Sequence, residues 1–326
     1  MRGLAVLGRL GARAPSILGT LLAPARFRHW ARVEGVPLRS PPEDARQRPS
    51  LACWLSKVLA ELRPHLLLVD VFPRGLLGEL GAALAPGAPT AWLVARRVQP
   101  DYYLQPQVRR MIEERYARLL WCEGADARLR VLNVRQQDVA PVLIRSPSQL
   151  LSRGAARSRL GVAPRAPLVL AVGTGPVDRQ ADLLRLLLKV RARLWPQTPF
   201  ELRVLSTELA ARMEDGWQVL SVFPALPLLP AADLLVLAAG YHAVHEAHIA
   251  GVPAVFVPQP RRYDDQFGRA APLPKLSAPE DVEAAVRAAL CARAAPLAAP
   301  PAGDGAAQVA DAILSEARKE GHALPG

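Results

Sequence analysis

Residues 229–270 read LPAADLLVLAAGYHAVHEAHIAGVPAVFVPQPRRYDDQFGRA, and this stretch contains two short apolar runs. The first run, Leu234 to Ala238, is followed by Gly240 and a helix-like segment from His242 to Ala250. The second run, Ala254 to Val257, lies between two prolines. Continuous apolar strands separated by helices are typical of a parallel sheet that is covered on both faces. The stretch therefore predicts a strand–helix–strand unit of an α/β fold.

Apolar runs of the same kind occur along the whole chain and alternate with helix-like segments. After a first helix, the further predicted strands are 16–22, 66–69, 90–94, 168–172, 200–205 and 218–222. The further predicted helices are 74–84, 178–194, 279–291 and 306–319. A stretch rich in Ser, Arg, Gly and Pro at 142–167 is typical of a linker. The sequence therefore predicts two similar α/β lobes, 1–150 and 151–326, which face each other across a ligand-binding cleft.

Composition excludes several classes of protein. The 326 residues are 51% hydrophobic and 21% charged, which is enough for a sizeable core and argues against disorder. Three cysteines far apart argue against a disulfide framework, and no apolar run reaches the roughly 18 residues of a spanning helix. The net charge of +12 comes from scattered arginines without interleaved aromatics, so nucleic-acid binding is not expected. A cytoplasmic protein is predicted, and peripheral contact with a membrane surface is left open.

Polar residues follow each of the two apolar runs in 229–270. Gly240 permits a tight turn before a helix, and a helix N-terminus attracts anions. Early in that helix, Glu246 could accept hydrogen bonds from a pair of sugar hydroxyls, or it could only complement the helix dipole. Asp265 and Gln266 offer acceptors and an amide to a hydroxyl-rich ligand, whereas Asp264 is expected in a solvated polar loop. A metal site is not expected, because His242, His245 and His248 are spaced by three and drift around a helix.

The order of these residues resembles the donor-binding signature of GT-B glycosyltransferases. It is most similar to the C-terminal domain of the MurG-type, glycosyltransferase family 28-like, N-acetylglucosaminyltransferases. The matching positions are Asp233, Gly240, Glu246, Gly251-Val252-Pro253, Pro258 and Asp265-Gln266. The resemblance implies two Rossmann-like lobes and an enzyme of the hexosyltransferase type. Such an enzyme moves a sugar from a nucleoside diphosphate sugar, with uridine diphosphate favoured, to an acceptor hydroxyl with inversion and without a cofactor.

The resemblance also implies roles for individual residues. Glu246 would bind the ribose hydroxyls, and Asp265 and Gln266 would bind hydroxyls of the sugar. The loop at Phe223 would flank the base. The diphosphate would lie against two groups of residues, which are Gly240, Tyr241, His242 and Ala243 at the helix start and Gly173, Thr174 and Gly175 after a strand. The acceptor, whether lipid, glycan or small molecule, is not identified.

The beginning of the chain departs from the family pattern. Residues 1–33 contain arginines and no acid, as transit peptides do, but they also fit the helix that follows the first strand and glycine loop of such a lobe. The N-terminal lobe is therefore predicted to lack that strand and loop, which leaves the catalytic base unassigned. Asp70 follows an apolar run, where it could orient a base, contact an acceptor or cap a helix. Two alternatives stay open, a nucleotide-sugar epimerase and a non-catalytic nucleotide-sugar-binding or partner subunit.

Overall fold

The chain folds into two compact units in a computed structural model. The model describes residues 1–43, 45, 47–84, 87–99, 101–124, 127–130, 132–173, 175–214, 216–273, 279–292 and 303–320. Unit 1 consists of Met1–Ile144 and a returning segment that begins at Gly303, and unit 2 is Arg145–Ala302. This division differs at the C-terminus from the predicted lobes, because the sequence predicts residues 303–326 as part of the second lobe. Elements are numbered below in chain order.

Unit 1 is a parallel α/β unit. Its helices are α1 (Arg2–Arg13), α2 (Arg28–Val33), α3 (Arg48–Leu62), α4 (Leu80–Ala83), α5 (Pro106–Arg115) and the returning α11 (Gly305–Lys319). Its strands are β1 (Leu21–Leu22), β2 (Leu38–Arg39), β3 (Leu66–Asp70), β4 (Thr90–Ala95), β5 (Arg118–Trp121) and β6 (Arg135–Asp138). Strands β3, β4, β5 and β6 form one parallel sheet in that order, and β1 pairs with β2 in parallel. Whether the lobe lacks a first strand and glycine loop stays a prediction.

Helix α11 belongs to unit 1 because it packs against α1. Apolar side chains of the two helices form a small core. That core contains Leu10, Ala14, Ala310 and Leu314. Asp304 caps the start of α11, and its other oxygen accepts a hydrogen bond from Arg9 Nε at 2.8 Å. The apolar face of α11, which corresponds to the predicted helix 306–319, therefore packs on the first helix of the chain.

Unit 2 contains the stretch with which the sequence analysis began. Its helices are α6 (Arg153–Arg159), α7 (Val177–Leu194), α8 (Tyr241–Ala250), α9 (Gln266–Ala270) and α10 (Pro279–Ala292). Its strands are β7 (Leu168–Val172), β8 (Glu201–Leu205), β9 (Arg212–Glu214), β10 (Trp217–Leu220), β11 (Leu234–Leu237) and β12 (Ala254–Phe256). They form one sheet in the order β12-β11-β7-β8-β10-β9, in which only β9 is antiparallel.

The sheet of unit 2 is apolar on both faces. Along β7, Leu168 and Leu170 point into one core while Val169 and Ala171 point into the other. Strand β11 alternates in the same way, as its register with β7 requires. Because successive strand residues point to opposite faces, an uninterrupted apolar run is expected for a strand that is covered on both sides. The α/β fold with parallel sheets was predicted from this pattern and is confirmed.

Three predicted segments differ in the structure. The predicted strand 16–22 is reduced to β1, because the chain turns after α1, where the Ile17 N–H donates to the Ala14 carbonyl at 3.0 Å. The predicted helix 74–84 is reduced to α4, because Gly75 and Gly78 adopt φ values of +79° and +86°. The Glu79 carboxylate accepts hydrogen bonds from the backbone of Leu76 and Leu77 and closes a turn there. The predicted linker 142–167 contains α6, whose Arg157 is buried and donates to the Ala231 carbonyl at 2.7 Å.

Helices long and apolar enough to cross a membrane are not found among the described residues.

Candidate functional site

The order of strands in unit 2 locates a crevice. The chain runs from β7 to β8 and β10 on one side and then returns to β11 and β12 on the other. The direction of winding therefore reverses between β7 and β11. In open α/β sheets, ligands bind outside the carboxyl ends of the strands at this point of reversal. The loops that follow β7, β11 and β12 all lie at that edge, and they carry most of the predicted donor residues.

These three loops contact one another. The Arg261 guanidinium, from the loop after β12, lies against Gly175 in the loop after β7, where a Cβ atom would collide with it. Gln266 Nε2 lies 3.8 Å from the position of a Cβ atom at Gly240. Arg269 is buried, and its Nη1 donates to the Ala239 carbonyl at 3.1 Å. The structure thus brings the predicted glycine turn, helix start and polar loop into one cluster, which we call the three-loop edge.

The turn after β7 is held by a buried polar network. Gln180 Nε2 donates to the Gly175 carbonyl at 2.7 Å, and the Ser206 hydroxyl donates to Gln180 Oε1 at 2.7 Å. Gly175 has a φ of +86°, and a Cβ atom at Gly173 would collide with Gln180, so both positions favour glycine. Thr174, the middle residue of the predicted turn, lies outside the described residues.

Helix α8 begins at the carboxyl end of β11. Gly240 is its N-cap residue, and a glycine has no side chain with which to cap this end. The first backbone N–H groups of a helix have no partner within the helix, so a helix start can receive an anion. Tyr241 and Ala243 are buried. The centre of the Tyr241 ring lies 5.1 Å from that of His242 and 4.8 Å from that of His245. Four of the seven predicted diphosphate positions, Gly240 to Ala243, therefore form this helix start.

Glu246 is the most unusual residue of the site. It is 8% exposed, and none of the described residues forms a hydrogen bond or ion pair with its carboxyl group. Burial raises the pKa of Glu246 to about 8. It lies beyond the first turn of α8, where the helix dipole gives little stabilisation. The position of Glu246 therefore does not favour the interpretation that it complements the helix dipole. A polar group with little exposure and no partner among the described residues calls for a ligand or another explanation.

The polar loop after β12 is fixed by its own contacts. Asp264 forms an ion pair with buried Arg269 at 2.9 Å, so it is not the solvated residue that was expected. Gln266 is buried and accepts from the Gln259 backbone at 3.0 Å while its amide donates to Asp264 at 3.3 Å. Asp265 caps α9 by accepting from the Gly268 backbone at 2.9 Å. These contacts hold the loop, and contact of Asp265 and Gln266 with a sugar stays a prediction.

The two remaining predicted residues lie elsewhere. Phe223 is half-buried in the loop after β10, and β8 separates β10 from β7. Asp70 ends β3 in unit 1 and accepts a hydrogen bond from Arg2 Nε at 2.6 Å. Desolvation is the largest influence on Asp70 and raises its pKa, but the Arg2 charge and hydrogen bond together with the charges of the N-terminal amine and Arg96 outweigh it, so the net pKa is lowered. A lowered pKa opposes a role as general base, and a capping role is excluded since the next helix begins at Leu80.

Three further residues, which lie in the three-loop edge or support it, were not predicted. Arg261 lies inside the matched motif, so a positive charge in a ligand-binding loop could have been predicted from the sequence. Gln180 and Ser206 could not be recognised in the sequence. Each is a single polar residue, and only the folded chain brings the two side chains into contact. Among the described residues, no group of three His, Cys, Asp or Glu side chains could hold a metal ion.

Comparisons with known proteins give matches among solved structures only. A scan against protein-family models finds no match. A search of curated proteins finds no match either. The chain is similar to the kitacinnamycin glycotransferase, with 17% identity, a TM-score of 0.61 and coverage of 96% of this chain and 94% of that one.

Two further solved structures extend the comparison. The spinosyn rhamnosyltransferase complexed with thymidine diphosphate has 18% identity, a TM-score of 0.56 and coverage of 99% and 92%. The UDP-GlcNAc 2-epimerase of Methanocaldococcus jannaschii, in complex with UDP-GlcNAc and UDP, has 12% identity, a TM-score of 0.64 and coverage of 96% of each chain. Likeness at this level of identity concerns the fold. The chain therefore has the GT-B fold of two Rossmann-like units, which is found in both glycosyltransferases and UDP-GlcNAc 2-epimerases.

Proposed function

We propose that the three-loop edge binds a nucleoside diphosphate sugar and that the protein transfers the sugar to an acceptor hydroxyl. The observation that carries this proposal is Glu246, which is 8% exposed, has no partner for its carboxyl group among the described residues and lies on α8 close to its N-terminus. A ribose offers two vicinal hydroxyls to such a group, and the attached diphosphate would reach the N-terminus of α8. Burying an unpaired carboxyl group costs free energy, which a bound diol would offset.

The chemistry of transfer assigns distinct tasks to the site. The acceptor hydroxyl loses its proton to a base and its oxygen forms a bond to the anomeric carbon. The bond from that carbon to the diphosphate oxygen breaks, and the nucleoside diphosphate leaves with the electron pair. Backbone N–H groups at the start of α8 would stabilise the charge that develops on the leaving group. The base is not assigned, and Asp70, with its carboxylate paired to Arg2, is a poor candidate.

A second candidate function is epimerisation of the sugar while it remains attached to the nucleotide. The fold likeness to UDP-GlcNAc 2-epimerases supports it, at TM-scores of 0.60 and 0.64 for two structures of the archaeal enzyme. Incubation with UDP-GlcNAc alone separates the two reactions. Inversion at C2 of the intact nucleotide sugar supports an epimerase, whereas transfer requires an added acceptor. The non-catalytic alternative predicts binding without either product.

Calorimetric titration with uridine diphosphate tests the donor site. Uridine is the first choice because of the MurG-type resemblance, which remains a prediction, as do a cytoplasmic location and contact with a membrane surface. At pH 9, where a carboxyl group with a pKa of about 8 is ionised, we expect the wild type to bind and Glu246→Gln to lose about 1.5–3 kcal/mol, the range of a hydrogen bond to a charged group. Glu61→Gln, an exposed carboxylate on α3, is the control and should bind like the wild type. Failure to bind uridine, thymidine and guanosine diphosphates would overturn the proposal.

A further inference from the structure

Arg261 reaches from one loop of the three-loop edge to another. It belongs to the loop after β12, and its guanidinium lies against Gly175 in the turn after β7. In the sheet, β11 lies between these two strands. The loop and its guanidinium therefore cross the carboxyl end of β11, which is where α8 begins. A positive charge is thus placed beside the helix start that would receive the diphosphate.

The position of this guanidinium is defined by its contacts. Arg261 Nη2 donates to Gln259 Oε1 at 2.6 Å. The backbone of Gln259 in turn donates to the buried Gln266 at 3.0 Å. On the other side, the Gly175 turn is held by Gln180, so both surfaces that contact Arg261 are themselves fixed. A group held in this way loses little conformational entropy when a ligand binds.

Glycine at position 175 leaves space for the guanidinium and adopts a φ that other residues rarely take. A planar guanidinium suits phosphate oxygens because its N–H groups can donate two parallel hydrogen bonds. The charge and the geometry both fit a diphosphate.

We propose that Arg261 binds the diphosphate of the donor, and this inference rests on the proposed function of the same site. The guanidinium would contact the phosphate oxygens across the end of β11, opposite the backbone N–H groups of α8. When the bond to the anomeric carbon breaks, negative charge grows on the departing diphosphate. A cation already in place stabilises that charge without rearrangement of the protein.

The test compares two adjacent arginines. Arg262 is exposed, and its guanidinium lies 5.0 Å from the centre of the Tyr263 ring, so Arg262→Ala removes the same charge from the same loop. Arg261→Ala, Arg261→Gln and Arg262→Ala are each titrated with uridine diphosphate and with uridine. We expect both Arg261 variants to bind uridine diphosphate about 10- to 100-fold more weakly, the range for a hydrogen bond to a charged group. Uridine affinity should change by less than about twofold in every variant, because uridine carries no phosphate.

The outcomes separate this inference from the proposed function. If the wild type binds uridine diphosphate but the Arg261 and Arg262 variants bind it equally well, the role of Arg261 is overturned and the donor site stands. An equal loss for uridine and uridine diphosphate would also overturn it, since the residue would then only hold the loop. Absence of wild-type binding overturns both. Arg261→Gln keeps a polar though shorter side chain without the charge, so it provides the comparison if Arg261→Ala does not fold, as judged by circular dichroism.

Discussion

At the scale of single residues, Glu246 and Gln180 differ in how they use a buried polar group. Gln180 is 4% exposed, and both ends of its amide are paired, with Gly175 and Ser206. Glu246 is about as buried, and none of the described residues pairs with it. Glu246 could be predicted because it follows a strand, a glycine and a helix start at a recognisable spacing. Gln180 could not, because its partners come from distant parts of the chain.

The raised pKa of Glu246 predicts a pH-dependent stability. The pKa rises from the ordinary value of 4.5 to about 8 in the folded protein. Between these values the folded protein holds a proton that the unfolded chain has released, so stability falls as pH rises through this window. Urea unfolding at pH 5.5, 7 and 8.5 should show Glu246→Gln gaining stability over the wild type, by up to about 1.4 kcal/mol for each pH unit.

Other titrating groups are common to both proteins, so their effects cancel in this difference. His248 is one such group, since burial and the charge of His245 lower its pKa. Parallel stability curves for the wild type and Glu246→Gln would contradict the prediction. Such curves would mean that the carboxyl group is paired or solvated in solution.

At the scale of elements, glycines decide where helices can form and dock. The predicted helix 74–84 was mostly wrong because two glycines with positive φ favour a turn that Glu79 completes. Strands β7 and β11 were predicted within a residue of their observed ends, because an apolar run bounded by polar or glycine residues leaves little freedom. A place where two backbone segments come close together has no such pattern of apolar residues in the sequence. The start of α11, which lies against the backbone of residues 140–141, is one example.

Gly305 is predicted to be essential for docking the start of α11. Its backbone N–H donates to the Pro141 carbonyl at 3.3 Å, and a Cβ atom there would collide with the Ala140 carbonyl. Gly305→Ala should lower the free energy of unfolding by about 1–3 kcal/mol, as overpacked sites do. Gly8→Ala in α1, where nothing lies within 4 Å of the added atom, should instead raise it by about 0.5–1 kcal/mol. Chemical denaturation of both variants gives the comparison, and a Gly305→Ala protein as stable as Gly8→Ala would refute it.

At the scale of the whole molecule, the chain leaves unit 1 at Ile144 and re-enters it at Gly303. The α/β fold of each unit could be predicted, because the alternation of apolar runs and helices is visible within short stretches of the sequence. The return of α11 could not, since its apolar face fits any apolar surface and no local signal names Leu10 and Ala14 as its partners. Charges then add specificity, with Arg13 Nε 3.2 Å from Asp311 and buried Arg118 3.6 Å from Glu316.

Removal of the returning segment should affect one unit only. A chain that ends at residue 302 exposes Leu10 and Ala14 and leaves Arg118 without the Glu316 carboxylate. Hydrogen–deuterium exchange should therefore speed up in α1 and in the neighbouring strand β3, because local stability depends on buried contacts. Exchange in β7 and β11 should match the full chain. Faster exchange in both units, or in neither, would contradict this assignment, and Leu314→Ala should give a weaker form of the same change.

The same return of the chain has a consequence for biosynthesis. A ribosome adds about 5–20 residues per second, so roughly ten to thirty seconds separate Ile144 from Gly303. During this interval the ribosome completes unit 2, while the apolar residues of α1 that pack against α11 remain uncovered. We therefore expect nascent unit 1 to expose an apolar surface to which chaperones can bind until α11 emerges from the ribosome. We expect the unit that is translated first to finish folding last.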